Sequence, residues 1–381
     1  MRWTLHTEGG PRRVNHAAAC VGDKIFSFGG YCSTEEYRDW ESISVHVLDT
    51  SIFKWALVEY NKTNAPFQRY GHSVIAYGEK IYMWGGRNDT VACDTVYCFD
   101  TRELVWSTPP VTGMIPNGKD GHAACLIKNK MYIFGGFDYL TDMYTNNIHC
   151  LNLDTMEWSY VYVKGTPPIS RDFHTALPYG DRMYIFGGRG DFERPHNAQN
   201  EVYCDKVFYL DTTKETWVTV EIKGIKPDGR RSHSAWIYND FMYIFGGYNE
   251  KTKTHFNDIF RFSLKGNYWE LVKTKGTAPC KRRRQVCILY DNKIYLFGGT
   301  SPVKNPPDTN PNDPHDVDEN KKLLDNNDLH ILDYMPSLKV LCINYVLDNK
   351  LDTSSLPKDI LMDIRIMTQP NRISRPINQT G

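Results

Sequence analysis

What this 381-residue chain lacks narrows its function first. It has no net charge: 45 lysines and arginines balance 45 aspartates and glutamates, so no overall field draws it to nucleic acid or to an anionic membrane. No apolar run approaches the ~20 residues that a bilayer helix needs, and the basic N-terminus lacks the apolar core of a signal peptide. Its ten cysteines include no CxxC pair, and several fall inside strand patterns. They are expected to be reduced core thiols of a soluble cytosolic or nuclear protein, not disulfides or zinc ligands. No nucleophile–base–acid set stands out, and no aromatic–basic stripe suggests direct nucleic-acid binding.

What the chain has is six paired glycines: Gly29-Gly30, Gly85-Gly86, Gly135-Gly136, Gly187-Gly188, Gly246-Gly247 and Gly298-Gly299, spaced by 56, 50, 52, 59 and 52 residues. Each ends an apolar run: IFSFGG, IYMWGG, MYIFGG three times, and IYLFGG. A strand-rich repeat near fifty residues that closes on diglycine resembles the kelch repeat, which implies an all-β, six-bladed kelch β-propeller. After the glycines each repeat continues through a variable loop to a third strand, such as 43–49, 94–100, 146–154, 205–211 and 257–262. A tryptophan strand follows at Trp55, Trp106, Trp158, Trp217 and Trp269. Period-two alternation suits half-buried strands, so the unit is a four-stranded blade.

The sixth repeat has its third strand at 328–333 but no tryptophan strand. Arg2-Trp3-Thr4-Leu5 supplies one, so residues 2–5 are expected to complete blade six and close the ring, which removes exposed sheet edges. The propeller is thus assigned to 1–335, with a long polar loop at 301–327 in blade six. A helical segment is assigned to 336–367 and a flexible tail to 368–381.

Histidine recurs at the start of five first strands, His16, His72, His122, His174 and His233, with Gln285 at the sixth. Symmetry-related positions a blade apart cannot converge on one metal, and glutamine is a poor ligand; hydrogen bonding between blades is the expected role. No metal or cofactor is expected. Basic residues precede these positions: Arg13, Arg69, Lys119, Arg171, Arg230-Arg231 and Arg282-Arg283-Arg284. Others follow the diglycines: Arg87, Arg189 and Arg194. Both groups belong to one face of a propeller, where about half would pair with local acids such as Asp120, Asp172 and Asp191. The rest would bind a compact anion such as a carboxylate.

The tail opens a helix at Ser337 as N-cap, with Leu338, Cys342 and Val346 on one stripe at i, i+4 and i+8. Such a stripe commonly packs on its own domain. The spacing Ser-Leu-x-x-x-Cys-x-x-x-Val also resembles the elongin B/C-binding box of ubiquitin-ligase receptors. Leu356-Pro357-x-x-Ile360-x-x-x-Ile364 resembles the cullin-2 box that follows it.

Ring plus boxes is similar to the kelch-repeat substrate receptors of cullin-2 ligases, end to end. The opening Arg-Trp-Thr, the segment 85–90 and the ending 373–377 carry the likeness further. The resemblance implies a non-catalytic adaptor whose partners are elongin B, elongin C and cullin-2 with its RING subunit. It also implies capture of substrates by a C-terminal glycine and its carboxylate, a C-degron. In a related receptor two arginines follow a blade's diglycine, one at once and one five residues on; Arg189 and Arg194 match. A serine and a tryptophan before the next blade's histidine complete that site, where this chain has Arg231 and Ser232. With Arg87, Arg283 and Arg284, these are the candidates for the carboxylate. Gly381 ends the chain with a version of such a ligand, so self-association through the tail is a further expectation. The rival readings are a chromatin-associated kelch scaffold and a metal-dependent kelch enzyme.

Overall fold

The computed structural model describes residues 1–33, 40–191, 201–303 and 323–373. Arg194, most of the expected 301–327 loop and Gly381 lie outside them. The described residues form six blades, each built on four antiparallel strands, with a short fifth strand added in blade three (Thr112–Gly113, parallel) and in blade four (Val202–Tyr203). Blade four runs through strands Arg171–Tyr179, Arg182–Gly190, Val207–Asp211 and Thr216–Thr219. Blade six takes three strands from one end of the chain, Val286–Tyr290, Lys293–Phe297 and Leu329–Asp333. Its fourth comes from the other end, Arg2–Thr7, paired antiparallel to the third from Arg2↔Asp333 to Thr7↔Leu329. The closing strand is thus two residues longer than expected, with a bulge between Trp3 and Leu5.

The tryptophans explain why the closing strand belongs there. Each outer-strand indole packs on the aromatic residue that precedes the diglycine of the blade before it. The pairs are Trp106 on Phe28, Trp158 on Trp84, Trp217 on Phe134, Trp269 on Phe186 and Trp55 on Phe297, at centroid distances of 4.9–5.7 Å. Trp3 completes the set on Phe245 at 6.2 Å. Six apolar cores result, each drawn from two adjacent blades.

The diglycines are needed because two histidines meet them. A Cβ on Gly187 would lie 2.5 Å from the ring of His233 in the next blade, and one on Gly188 would lie 2.8 Å from the Cβ of its own blade's His174. Both have positive φ, +73° and +87°, which L side chains rarely adopt. The second glycine's N–H donates to the next blade, for example Gly188 to the Arg230 carbonyl at 2.9 Å and Gly299 to Arg13 at 2.9 Å.

Two helices follow the ring, α1 (Leu338–Asp348) and α2 (Lys358–Thr368), and both contact the closing strand. Ser337 caps α1 as its position suggests, its side chain accepting from the Val340 N–H at 3.2 Å. Arg2 pairs with Asp348 at 2.8 Å, and Lys339 pairs with Asp363 between the helices. The chain beyond α2 does not run free at residue 368. Asn371 is 4% exposed, donates its N–H to the Glu8 carbonyl at 2.6 Å, and accepts the Trp55 N–H on its side chain at 3.1 Å. It clamps the closing strand to blade one.

Deleting residues 1–7 should therefore open the ring and lower the thermal midpoint sharply. Trp3→Ala alone is expected to cost about 3–5 kcal/mol by calorimetry or urea unfolding, as for other buried tryptophans.

Candidate functional site

At the axis the residue before each histidine or glutamine has left-handed backbone: Asn15, Gly71, Gly121, Phe173, Ser232 and Arg284, with φ from 48° to 69°. Each donates its N–H to the carbonyl of the equivalent residue one blade back, and Asn15 donates to Arg284 to complete the circle, at 2.7–3.3 Å. The backbone does all the bonding, so these six positions are free to vary their side chains. Below them the histidines line a narrow channel of about 130 Å³.

Two of the five histidines, with the glutamine, join blades by side-chain hydrogen bonds, while the rings of His16, His72 and His174 pack on the first glycine of the blade before. His122 hydrogen-bonds Ser73 at 2.8 Å, His233 bonds Thr175 at 2.9 Å, and Gln285 donates to Ser234 at 3.2 Å and to the Phe245 carbonyl at 3.1 Å. Burial pushes His16, His122 and His233 down to about 3, helped in each by an adjacent basic residue, so all are neutral.

The basic residues sort by position. Those three before the histidine or glutamine, Arg13 apart, turn inward and serve the fold. Arg69, Arg171, Arg230 and Arg282 are at most 6% exposed and donate to the first diglycine carbonyl of their own blade at 2.8–3.4 Å. Arg230 also pairs with Asp258, and Arg282 with Asp328. These acids lie on the third strands' approaches, not among the three that sequence reasoning named.

Above the axis lies a cleft of about 590 Å³ lined by Tyr31, Tyr70, Arg87, Asp89, Asp120, Tyr139, Phe173, Arg189 and Arg284. The axial residues of blades two and three are Gly71 and Gly121, and a Cβ on either would lie 3.1 Å from the Cβ of an aspartate, Asp120 or Asp172. Arg87 donates to the Tyr139 hydroxyl at 2.9 Å and lies over its ring at 4.6 Å. Burial, with Asp172 nearby, pushes Asp120 up to about 7.

Arg189 is not free. Its Nε and Nη2 donate to both oxygens of Asp172 at 3.0–3.2 Å, and its Nη1 to Glu201 at 3.2 Å. Burial would lower its pKa, but Asp172 outweighs it and the net shift is upward. Arg231 makes a 3.6 Å contact with Glu250, which also pairs with Lys253, and lies over the Tyr248 ring at 5.7 Å. Arg283 stacks on Tyr248 at 4.3 Å, and burial with Arg284 and Arg231 pushes it down to about 10. Arg284 donates to the Tyr31 hydroxyl at 2.5 Å. Ser232 sits at the channel mouth. Tyr31 and Glu201 were not singled out from sequence, whereas Asp172 was named there as an acid that would pair with a local arginine, as it does with Arg189. The signal for Glu201 is weak, since a pairing partner 12 residues from Arg189 follows no motif.

The model of the KLHDC2/KLHL20/DRC7 Kelch-repeats domain matches residues 71–299. The chain belongs to the kelch-repeat family. Kelch domain-containing protein 3 of Bos taurus is 45% identical over 385 residues, covering 99% of this chain and 98% of the relative. The Homo sapiens protein of that name is 44% identical over the same span. Kelch domain-containing protein 1 of Homo sapiens is 30% identical over 261 residues, 61% of this chain and 63% of that one. In this kelch-repeat protein, one histidine–carboxylate group among the described residues offers metal-ligand atoms within 4.8 Å: His6, Asp328 and His330. It suits a cation poorly. Asp328 is held by both terminal nitrogens of Arg282 at 2.7 and 2.6 Å, and the two imidazoles stack 7° from parallel, so their lone pairs do not converge.

The neutral histidines carry a pH dependence of stability. Their folded pKa values lie below the ordinary 6.5, so their contribution is complete above about pH 6.5 and is lost as pH falls toward 3. Asp120, raised in the fold to about 7, acts oppositely but is outnumbered. The melting midpoint should fall between pH 6.5 and 4, and His122→Gln should flatten the slope by about 1.4 kcal/mol per pH unit. A flat profile in the parent protein would contradict this account.

Proposed function

We propose that this chain is the substrate-recognition subunit of a cullin-2–elongin B/C RING ubiquitin ligase, capturing proteins that end in glycine for ubiquitination and degradation. It is itself a non-catalytic adaptor; the transfer chemistry belongs to its partners. The observation that carries the reading is the outward face of α1. Leu338 is 76% exposed, Leu341 39% and Tyr345 64%, and Cys342 is exposed between them, while Ile343 and Asn344 are the residues turned inward. The Leu338/Cys342 stripe therefore does not pack on its own domain, and an apolar helix face left in water favours a partner. Val346 continues it half-buried.

The second box fits the same reading. Pro357 starts α2 in extended backbone, Leu356, Ile360 and Ile364 are half-buried, and Leu361, Met362 and Ile364 line an apolar hollow of about 500 Å³. The cleft over the propeller supplies the other half. It has guanidinium groups that suit a carboxylate. Charge-assisted bonds worth roughly 1.5–3 kcal/mol each would give micromolar affinity, about −8 kcal/mol, for a short peptide. Cytosol and nucleus both suit this role.

Two measurements test it. Elongin B/C and cullin-2 should co-purify with the parent chain and not with a Leu338→Ser/Cys342→Asp variant that melts normally; no association with either would leave a kelch scaffold. Amidating the carboxyl group of a Gly-ended peptide should weaken its binding more than about tenfold; equal binding of acid and amide would end the C-degron reading.

A further inference from the structure

We propose that the hollow between the closing strand and the two helices binds a small phosphate-bearing molecule. It measures about 330 Å³ and is bounded by Arg2 and Thr4 of the closing strand, Gly276 and Thr277 of the loop entering blade six, and Asn344 and Met367 of the helices. The repeat explains why space is enclosed there. The loop entering a blade bridges in parallel to that blade's outer strand, as Lys164 does to Thr216, Lys223 to Tyr268 and Lys275 to Arg2. In blade six both helices also stand against the outer strand, so loop, strand and helices together form the walls.

Two of the residues in those walls carry unmet donors. Asn344 lies on the inward side of α1, is 9% exposed, and has its Nδ2 buried without a hydrogen-bond partner. The Nε of Arg2 is buried and unmet as well, while its Nη2 is engaged by Asp348 at 2.8 Å. A buried N–H with no acceptor is costly, and an apolar residue at position 344 would avoid that cost. A ligand that brings acceptor oxygens relieves both donors at once.

The surrounding charge selects an anion. The stretch 273–284 holds six basic residues and no acid. Its first part is fixed on the closing strand: the Trp3 indole donates to the Thr274 hydroxyl at 3.2 Å, and the Trp3 N–H to the Lys275 carbonyl at 2.9 Å. Lys273 and Lys275, on either side of Thr274, are exposed. The acid in the walls, Asp348, is already paired with Arg2. Phosphate presents three acceptor oxygens in different directions, which suits donors that arrive from a strand on one side and a helix on the other; the two oxygens of a carboxylate lie in one plane. The space would hold roughly ten waters, more than a bare phosphate fills, and Leu347 and Met367 offer apolar wall to the body of a phosphate monoester. A ligand seated there touches the closing strand and both helices, and so fastens the helical arm to the ring.

The test is titration of the full chain with glycerol 3-phosphate and with inorganic phosphate, at ionic strength held constant with sodium chloride. Each should raise the melting midpoint saturably and slow amide hydrogen exchange in Arg2–Thr7 and Leu338–Asp348. Asn344→Leu, which removes the unmet donor and suits a packed helix face, should melt no lower than the parent and bind about tenfold more weakly. Arg2→Lys, which keeps the charge and loses the Nε donor, should bind several-fold more weakly, while Lys223→Gln on the equivalent loop of blade five should bind as the parent does. Tighter binding of the monoester than of the free ion assigns the site to an organic phosphate, and equal binding assigns it to phosphate itself. No saturable shift with either anion would overturn the proposal. Undiminished binding by Asn344→Leu and Arg2→Lys would overturn it too, by placing the anion elsewhere, as at the cleft.

Discussion

The interaction on which everything else depends is the fit of a histidine between two glycine pairs. Each ring presses on the first glycine of the blade before, and its own Cβ presses on the second glycine of its own blade. No blade can be packed correctly without both neighbours, so the repeats are not independent units. The axial circle of six N–H···O=C bonds states the same dependence in backbone terms. A circle has no weak end only if it closes, and closure here requires two segments from opposite ends of the chain to form one sheet.

Because the backbone closes the circle, symmetry can be broken at little cost in the side chains above it. The axial positions read Asn, Gly, Gly, Phe, Ser, Arg around the ring. Two glycines in succession stand on one side, closely faced by Asp120 and Asp172, and an arginine stands at the other. The positions one earlier in sequence likewise run from acids, Asp120 and Asp172, to bases, Arg231 and Arg283. A protein with no net charge thereby carries its axial charges unevenly from blade to blade. The whole-chain charge count is blind to that unevenness, which arises from which repeat carries which residue.

The same physics decides what was legible in the sequence. Diglycine spacing and the tryptophan register are enforced at every repeat by steric contact, so six blades and the role of Trp3 could be read from spacing alone. Element limits were less clear: the closing strand extends to Thr7, and Asn371 anchors a segment that composition assigned to a free tail. The basic residues were the hardest to divide. Arg282, Arg283 and Arg284 are adjacent in sequence, yet the first points into the blade toward Asp328, the second stacks on Tyr248 and the third reaches Tyr31. They precede the strand Val286–Tyr290 and the left-handed turn at Arg284 aims them apart, so only the position relative to Gln285 tells which is which. Arg189 shows the opposite limit: its motif position is right, but acids from two other segments engage it.

The closing strand also carries both helices, and this joins two parts that sequence presents as separate modules. Arg2 bonds α1 through Asp348, and Thr7 and Glu8 bond the segment after α2 through Asn371. A helical arm on a flexible linker would hold a captured protein at no fixed place relative to a bound partner. An arm fastened to the strand that completes blade six moves with the ring, since shifting it would strain the Trp3–Phe245 contact and the Asn371 clamp together. The coupling is reciprocal by thermodynamic necessity: whatever stabilises the docked helices stabilises ring closure by the same amount. A protein that binds through α1 therefore acts on the propeller without touching the cleft, because both ends of the connection lie on one six-residue strand.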